Sequence, residues 1–382
     1  MPEETAVQKV IDVVEDFSCP YQTAAYQEAF RSWRRKKQNP YAFRFTKNPK
    51  EASFSESQSA VGLSPAQTEQ NILNRIGTLI GYAMICYLTA ENILDKAAVM
   101  LMHFLHLHIE LVFSGESRLY GDERLVFWLT FGIQFIKYLI PALLLQFMFR
   151  MPVQVSLPMK IHKPPRLVFG IGMMMLISAG MGILQTPMSA DMEKYRIISG
   201  TEQSEGFRMI VYLLLTIFAL PMIAELLLHG CMFQALRQFG DNFAVIATTI
   251  LAAAMTHNIP DAIRIGLVHL IISYYLIYTG SFLSAIILRT VHEIYMFVLF
   301  YLESYGSVDS SEFRLLLLIP CIICICAGIY LFLNRNKHKD NLLSNITYLN
   351  LREKAEAFFT AMPMVAFLIC SVLLLVITSM LA

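Results

Sequence analysis

Long apolar runs recur along the chain, at residues 76–113, 125–148, 167–185, 208–236, 241–257, 263–278, 282–302, 315–333 and 367–381. A run of about eighteen apolar residues is long enough to cross the hydrocarbon core of a bilayer as one helix. No other feature restricts the fold as strongly. Charged residues make up 15% of the 382 positions and hydrophobic residues 56%. A soluble domain carries about 25% charged residues, so this chain lacks the surface chemistry to stay in water. The expected class is all-α, a polytopic helical membrane protein with about eight to nine transmembrane helices.

The uneven placement of charge predicts topology. Residues 1–72 read as a polar tail, with Trp33-Arg34-Arg35-Lys36-Lys37 as a basic stretch ahead of the first span. No charged segment followed by a short apolar run opens the chain, so a cleavable signal peptide is not expected. Basic residues recur at Arg150, Lys160, Lys163 and Arg166, and again at Arg335, Lys337, Lys339, Arg352 and Lys354. Basic loops stay on the cytoplasmic side, which puts the N-terminal tail and both loops there. The polar segment 189–206 and the acidic segment 303–312 then lie outside. The run 76–113 would be about 55 Å long as one helix, more than the ~30 Å core. A hairpin there would place the next basic loop outside, so one long helix is expected. Its His103, His106 and His108 do not share a face and read as interfacial or packing residues.

The chain divides into a tail at 1–72, helices at 73–200, a core at 206–302 and further helices at 313–382. The expected partner is the lipid bilayer, with anionic headgroups as a lesser contact of the basic stretch. No nucleic-acid module accompanies that charge, and no nucleic-acid partner is expected. Cys321, Cys324 and Cys326 share one apolar helix but face different sides, which argues for packing over metal binding. The net charge of +1 carries no information about partners.

Within 224–296 a glutamate and three histidines fall on segments that otherwise read as membrane-spanning. They are Glu225 and His229, then His257 followed by Asn258, then His292 followed by Glu293. Ionisable groups in hydrocarbon are costly, and each marks a site hypothesis. Glu225 and His229, four residues apart, share one helix face. Gly230 beside them would let a neighbouring helix approach. The functional reading is activation of water by the carboxylate with a histidine assisting. The structural alternative is that these groups bond one another and fix helix register. One carboxylate and three histidines also form a set able to bind Zn²⁺. The expectation is no cofactor, with zinc on Glu225, His229, His257 and His292 as the lesser alternative. Glu293 is a spare carboxylate turned about 100° from His292 around its helix.

The order of these motifs resembles the CAAX prenyl protease and bacteriocin-processing family, also called the abortive-infection family, of intramembrane glutamic endopeptidases. Its pattern is a Glu-Glu-x-x-x-Arg-Gly helix, Phe-x-x-x-His, a Gly-Ser turn and His-x-x-x-Asn. The matching text here is Ala224-Glu225-Leu226-Leu227-Leu228-His229-Gly230, Ala253-Ala254-Met255-Thr256-His257, Gly280-Ser281 and His292-Glu293-Ile294-Tyr295-Met296. The connection from Phe233 to Gly240 also fits. The resemblance implies Glu225, His257 and His292 as catalytic residues, with His229, Gly230, Asn258 and Glu293 supporting. It implies hydrolysis of a membrane-associated peptide or prenylated protein, in a bacterial plasma membrane. Ala224, His229, Ala253 and Met296 depart from the pattern. Alanine cannot act as a base, and a thioether is a poor partner for an oxyanion. Two further readings therefore stand beside the endopeptidase. One is a non-catalytic member of the fold, acting as a membrane binding or immunity protein. The other is a transporter that relays protons through its histidines.

Overall fold

The computed structural model describes residues 22–36, 39–43, 65–113, 117–161, 164–184, 206–305, 311–333 and 347–381. Residues 189–205, 306–310 and 334–346, to which the charge pattern assigns a side of the membrane, lie outside these residues. The described chain is helical apart from one short hairpin. In chain order it contains α1 (Ala24–Arg35), α2 (Pro65–Phe104), β1 (Ile109–Phe113), β2 (Ser117–Gly121), α3 (Glu123–Phe149) and α4 (Val153–Ser156). Then come α5 (Pro164–Leu184), a composite helix α6, α7 (Asp241–Ala254), α8 (Ile259–Thr279), α9 (Phe282–Tyr305), α10 (Ser311–Leu333), α11 (Leu351–Phe359) and α12 (Met362–Leu381). The composite α6 passes through Gly206–Leu214, a π-helical stretch Leu215–Ala219, Leu220–Glu225, a second π-helical stretch Leu226–Met232, and Phe233–Leu236.

The all-α membrane class holds. Among the described residues, five helices are long and apolar enough to cross a bilayer, and the bent pair α11–α12 raises this to six, so the expected eight to nine are not confirmed. The predicted spans at 167–185, 241–257 and 315–333 are represented among the described residues by shorter apolar helices, Pro164–Gly180, Asp241–Ala254 and Leu318–Leu333. The long-helix reading of 76–113 holds as far as Phe104. There the chain leaves the helix, with His106 at a positive φ of 57°. The β1–β2 hairpin then pairs Ile109 with Gly121. His103, His106 and His108 are all exposed at this end.

Large apolar side chains point outward along several helices, among them Phe147, Leu214, Ile250, Phe332 and Val372. A water-soluble surface rarely exposes so much apolar area, and a bilayer covers it. Between the helices, small residues set the distance, as membrane helix packing requires. Gly170 and Gly172 of α5 lie against the Tyr275 ring of α8 and Cys324 of α10. Gly77 and Gly81 of α2 admit the backbone of α11 and the start of α12. Between those two helices the chain turns by 83°.

One end of the bundle gathers Phe149, α4, the 237–241 corner and the Gly280–Ser281 turn. Gly280 ends α8 with φ 65°, and its N–H bonds Leu276 O. The N–H of Phe282 bonds Pro158 O at 2.6 Å. Helix α1, within the stretch that reads as a polar tail, docks at this end. The Trp33 indole N–H donates to Phe149 O at 2.8 Å, and the Tyr26 hydroxyl donates to Gln234 Oε1 at 2.7 Å. The amphipathic α11 joins the same end. Lys354 Nζ bonds Phe239 O, and Glu69 Oε2 accepts the N–H groups of Tyr348 and Leu349 at 2.9 and 3.1 Å.

Replacing Gly81 with valine drives new carbons into the backbone of Pro363 and Met364. Overpacking of this kind costs about 1–3 kcal/mol. Gly81→Val is expected to lower the thermal midpoint of the detergent-solubilised protein. Gly132→Ala, whose added Cβ meets nothing within 4 Å, should hold or raise it, because alanine suits a helix interior better than glycine.

Candidate functional site

Helices α8 and α9 meet at the Gly280–Ser281 turn, so residues equally far from it sit at equal depth. His269 is ten residues before the end of α8 and His292 ten after the start of α9. At 1.5 Å per residue both lie about 15 Å from that end, in the middle of a ~30 Å core. Glu225 is eleven residues above Leu236 and reaches a similar level on α6.

Glu225 and His229 are both fully buried. Glu225 Oε2 bonds His229 Nδ1, as their four-residue spacing predicts. His229 Nε2 meets Ser273 Oγ of α8 at 2.8 Å. The second carboxylate oxygen, Oε1, lies 3.7 Å from His269 Nδ1. Neither of these two buried atoms has a hydrogen-bond partner. The two imidazoles stack with centroids 5.4 Å apart and planes 20° apart. His269 and Ser273, one turn apart on α8, face α6 together. The π-helical stretch begins at Leu226, directly after Glu225. Such irregularities frequently occur at functional sites.

Gly230 allows the close packing expected of it. A Cβ there would stand 3.3 Å from Ser156 O and 3.7 Å from the Phe282 ring.

The two family histidines are placed elsewhere. His292 Nε2 receives a hydrogen bond from Arg264 Nη1 at 3.0 Å. A guanidinium only donates, so Nδ1 carries the proton and donates to Ser178 Oγ at 2.7 Å. Both ring nitrogens are thus engaged. Arg264 is held by Asp261, with Nη2 to Oδ1 at 2.9 Å. Asp261 Oδ2 in turn accepts from Asn258 Nδ2 at 2.6 Å. Asn258 also caps α8, its side-chain oxygen accepting the Asp261 N–H at 2.7 Å. Glu293 is buried and paired to Arg289 Nη2 at 2.9 Å.

His257 occupies the break between α7 and α8, where its Nε2 meets Glu91 Oε2 of α2 at 2.7 Å. Lys137 of α3 reaches Glu91 Oε1 at the same distance. The residues therefore fall into three groups. Glu225 and His229 join His269 and Ser273. His292 joins Ser178, Arg264, Asp261 and Asn258. His257 joins Glu91 and Lys137. Among the described residues, the trio whose ligand atoms all lie within 4.8 Å of one another is Glu225, His229 and His269. The zinc set drawn from the sequence used His257 and His292 in place of His269.

The motif reading passed over His269, Ser273, Arg264 and the Glu91–Lys137 pair. The signal was present. His269 stands alone in Gly266-Leu267-Val268-His269-Leu270-Ile271, and an intramembrane histidine is a site hypothesis by the rule that selected the others.

Residues 206–295 match the family described as type II CAAX prenyl endopeptidase, Rce1-like. This stretch includes the whole Glu225 group. The match bears out, over residues 206–295, the resemblance expected from motif order. No curated protein and no solved structure matches the chain.

Removing one member of a largely buried ion pair leaves a charge with less compensation, which costs stability. Lys137→Met is therefore expected to destabilise the protein more than Lys137→Met combined with Glu91→Gln, as read by thermal denaturation in detergent. Equal midpoints would show that the Glu91 charge does not depend on Lys137.

Proposed function

We propose, from the premise that residues 206–295 belong to the type II CAAX prenyl endopeptidase, Rce1-like family, that this integral membrane protein hydrolyses a membrane-associated peptide or prenylated protein at the Glu225 group. One observation carries the reading. A buried carboxylate oxygen and a buried imidazole nitrogen face each other at 3.7 Å, and neither has a hydrogen-bond partner. An unsatisfied buried polar atom costs about 1–3 kcal/mol. Such vacancies persist where a reacting group is to be received.

Glu225 is the carboxylate on which water activation depends. The family's adjacent carboxylate position is Ala224, so Glu225 works with histidines rather than with a second glutamate. His229, held on its far side by Ser273, fixes the carboxylate. His269 presents the second polar atom of the site. His257 and His292, expected from the resemblance to be catalytic, are proposed to support the site from its rim. His292 orders Arg264 and α9, and His257 anchors the α7–α8 break. The basic residues at the end that carries α1 and α4, among them Arg34, Arg150 and Lys160, support a cytoplasmic placement of that end. The membrane is proposed to be a bacterial plasma membrane.

A second reading, a non-catalytic member of the fold that acts as a membrane binding or immunity protein, is favoured by Met296. That residue stands where the family has an asparagine. It is buried among Phe127, Tyr212, Tyr295 and Leu299 and offers no group to an oxyanion.

Cleavage assays on purified protein, using prenylated and membrane-anchored peptides, separate the two. Loss of a general base costs about 10²–10⁴ in rate. Glu225→Gln should abolish turnover to that extent, and His269→Ala should slow it markedly. Unchanged turnover in Glu225→Gln would overturn the assignment. A wild-type protein that cleaves no peptide would favour the binding reading.

A further inference from the structure

We infer that Glu225, His229 and His269 form a binding site for a divalent transition-metal ion of the Zn²⁺ class. The inference takes from the preceding section only the choice of this cluster as the working site. Two imidazoles and a carboxylate are an established catalytic zinc set, with the fourth position left to water. Their ligand atoms lie within 4.8 Å of one another, and all three side chains are buried.

The spacing of the vacant pair discriminates between a water and an ion. A water accepting or donating at about 2.8 Å to each of two atoms, with its tetrahedral angle, holds them about 4.6 Å apart. An ion with ligands at about 2.0–2.1 Å in tetrahedral geometry holds them about 3.4 Å apart. Glu225 Oε1 and His269 Nδ1 stand at 3.7 Å, close to the second value. Direct hydrogen bonding is absent between them, and an ion would satisfy both at once.

The surroundings fit as well. A metal-ligating histidine is usually fixed by a partner on its other ring nitrogen. His229 meets Ser273 Oγ through Nε2, so Nδ1, which bonds Glu225 Oε2 in the absence of an ion, is the nitrogen that would exchange that bond for the metal. A hydroxyl both donates and accepts, so Ser273 serves either tautomer of His229. Arg289 lies within electrostatic range of His269, but its guanidinium is paired with Glu293 at 2.9 Å. One carboxylate, one Zn²⁺ and one bound hydroxide sum to zero charge. Neutrality is what a site in hydrocarbon requires. The ion also accounts for a single carboxylate in a hydrolase, because zinc lowers the pKa of its bound water to about 7.

The test is metal analysis of the purified full-length protein after equilibration with ZnCl₂ and dialysis. Wild-type protein should retain about one zinc per chain and should show a rise in thermal midpoint with added Zn²⁺. His229→Ala and His269→Ala should lose the metal. His292→Ala, whose ring nitrogens are engaged by Arg264 and Ser178, should keep it. Ser273→Ala, which leaves all three ligands in place, should weaken zinc affinity about 10–100-fold. Cobalt substitution should give the visible absorption of a four-coordinate ion in the wild type, lost in His269→Ala. Wild-type protein that retains no zinc, or His269→Ala that retains as much as wild type, overturns the inference. Zinc content decides this site and peptide cleavage decides the hydrolase reading. Protein that binds zinc and cleaves nothing sustains the first and overturns the second. Protein that cleaves while holding no zinc does the reverse.

Discussion

An ionisable side chain at the depth of the hydrocarbon is tolerated only where another polar group meets it, and in this protein each polar group draws partners from more than one helix. Glu225 and His229 on α6 engage Ser273 and face His269 on α8. His292 on α9 lies between Arg264 on α8 and Ser178 on α5. Glu91 on α2 holds Lys137 on α3 and His257 at the α7–α8 break. Apolar contact between membrane helices is weakly directional, since lipid tails are as apolar as leucine. The polar contacts therefore set rotation and register, and glycine positions such as Gly81 and Gly172 set how closely the helices approach.

These groups differ in how completely they are satisfied. Both nitrogens of His292 have partners, and Arg264 is in turn held by Asp261. That arrangement is a closed structural unit. The Glu225 group is open, with one carboxylate oxygen and one imidazole nitrogen facing each other unbonded. The proposed chemistry is assigned where the polar valence is unfilled, which sets His292 of the motif apart from it. Ala224 and Met296 are buried without polar demands.

Much of the architecture was legible beforehand. Apolar run length identified the helices, and the order of Glu225, His257, the Gly-Ser turn and His292 identified the family segment. The four-residue spacing of Glu225 and His229 correctly forecast their contact, because helix geometry makes such neighbours inevitable. The number of spans was less accessible. Hydropathy registers a run such as 241–257 as apolar, yet Ala254 ends its helix early and His257 turns toward Glu91. The run 76–113 likewise hid a change from helix to hairpin after Phe104, because Ile109–Phe113 is as apolar as the helix before it.

What the sequence by itself determined was the membrane class, the identity of the family segment and the contact of Glu225 with His229 within a single turn of helix. These follow from transfer energetics and from fixed helical periodicity, both local properties of the chain. The tertiary structure alone decided which histidine completes the Glu225 group. His257, His269 and His292 are all imidazoles in apolar surroundings, and nothing local ranks them. The rotation of α8 about its own axis brings His269 and Ser273 toward α6. That rotation is set by packing against α5, α7 and α9, and no single stretch of sequence encodes it.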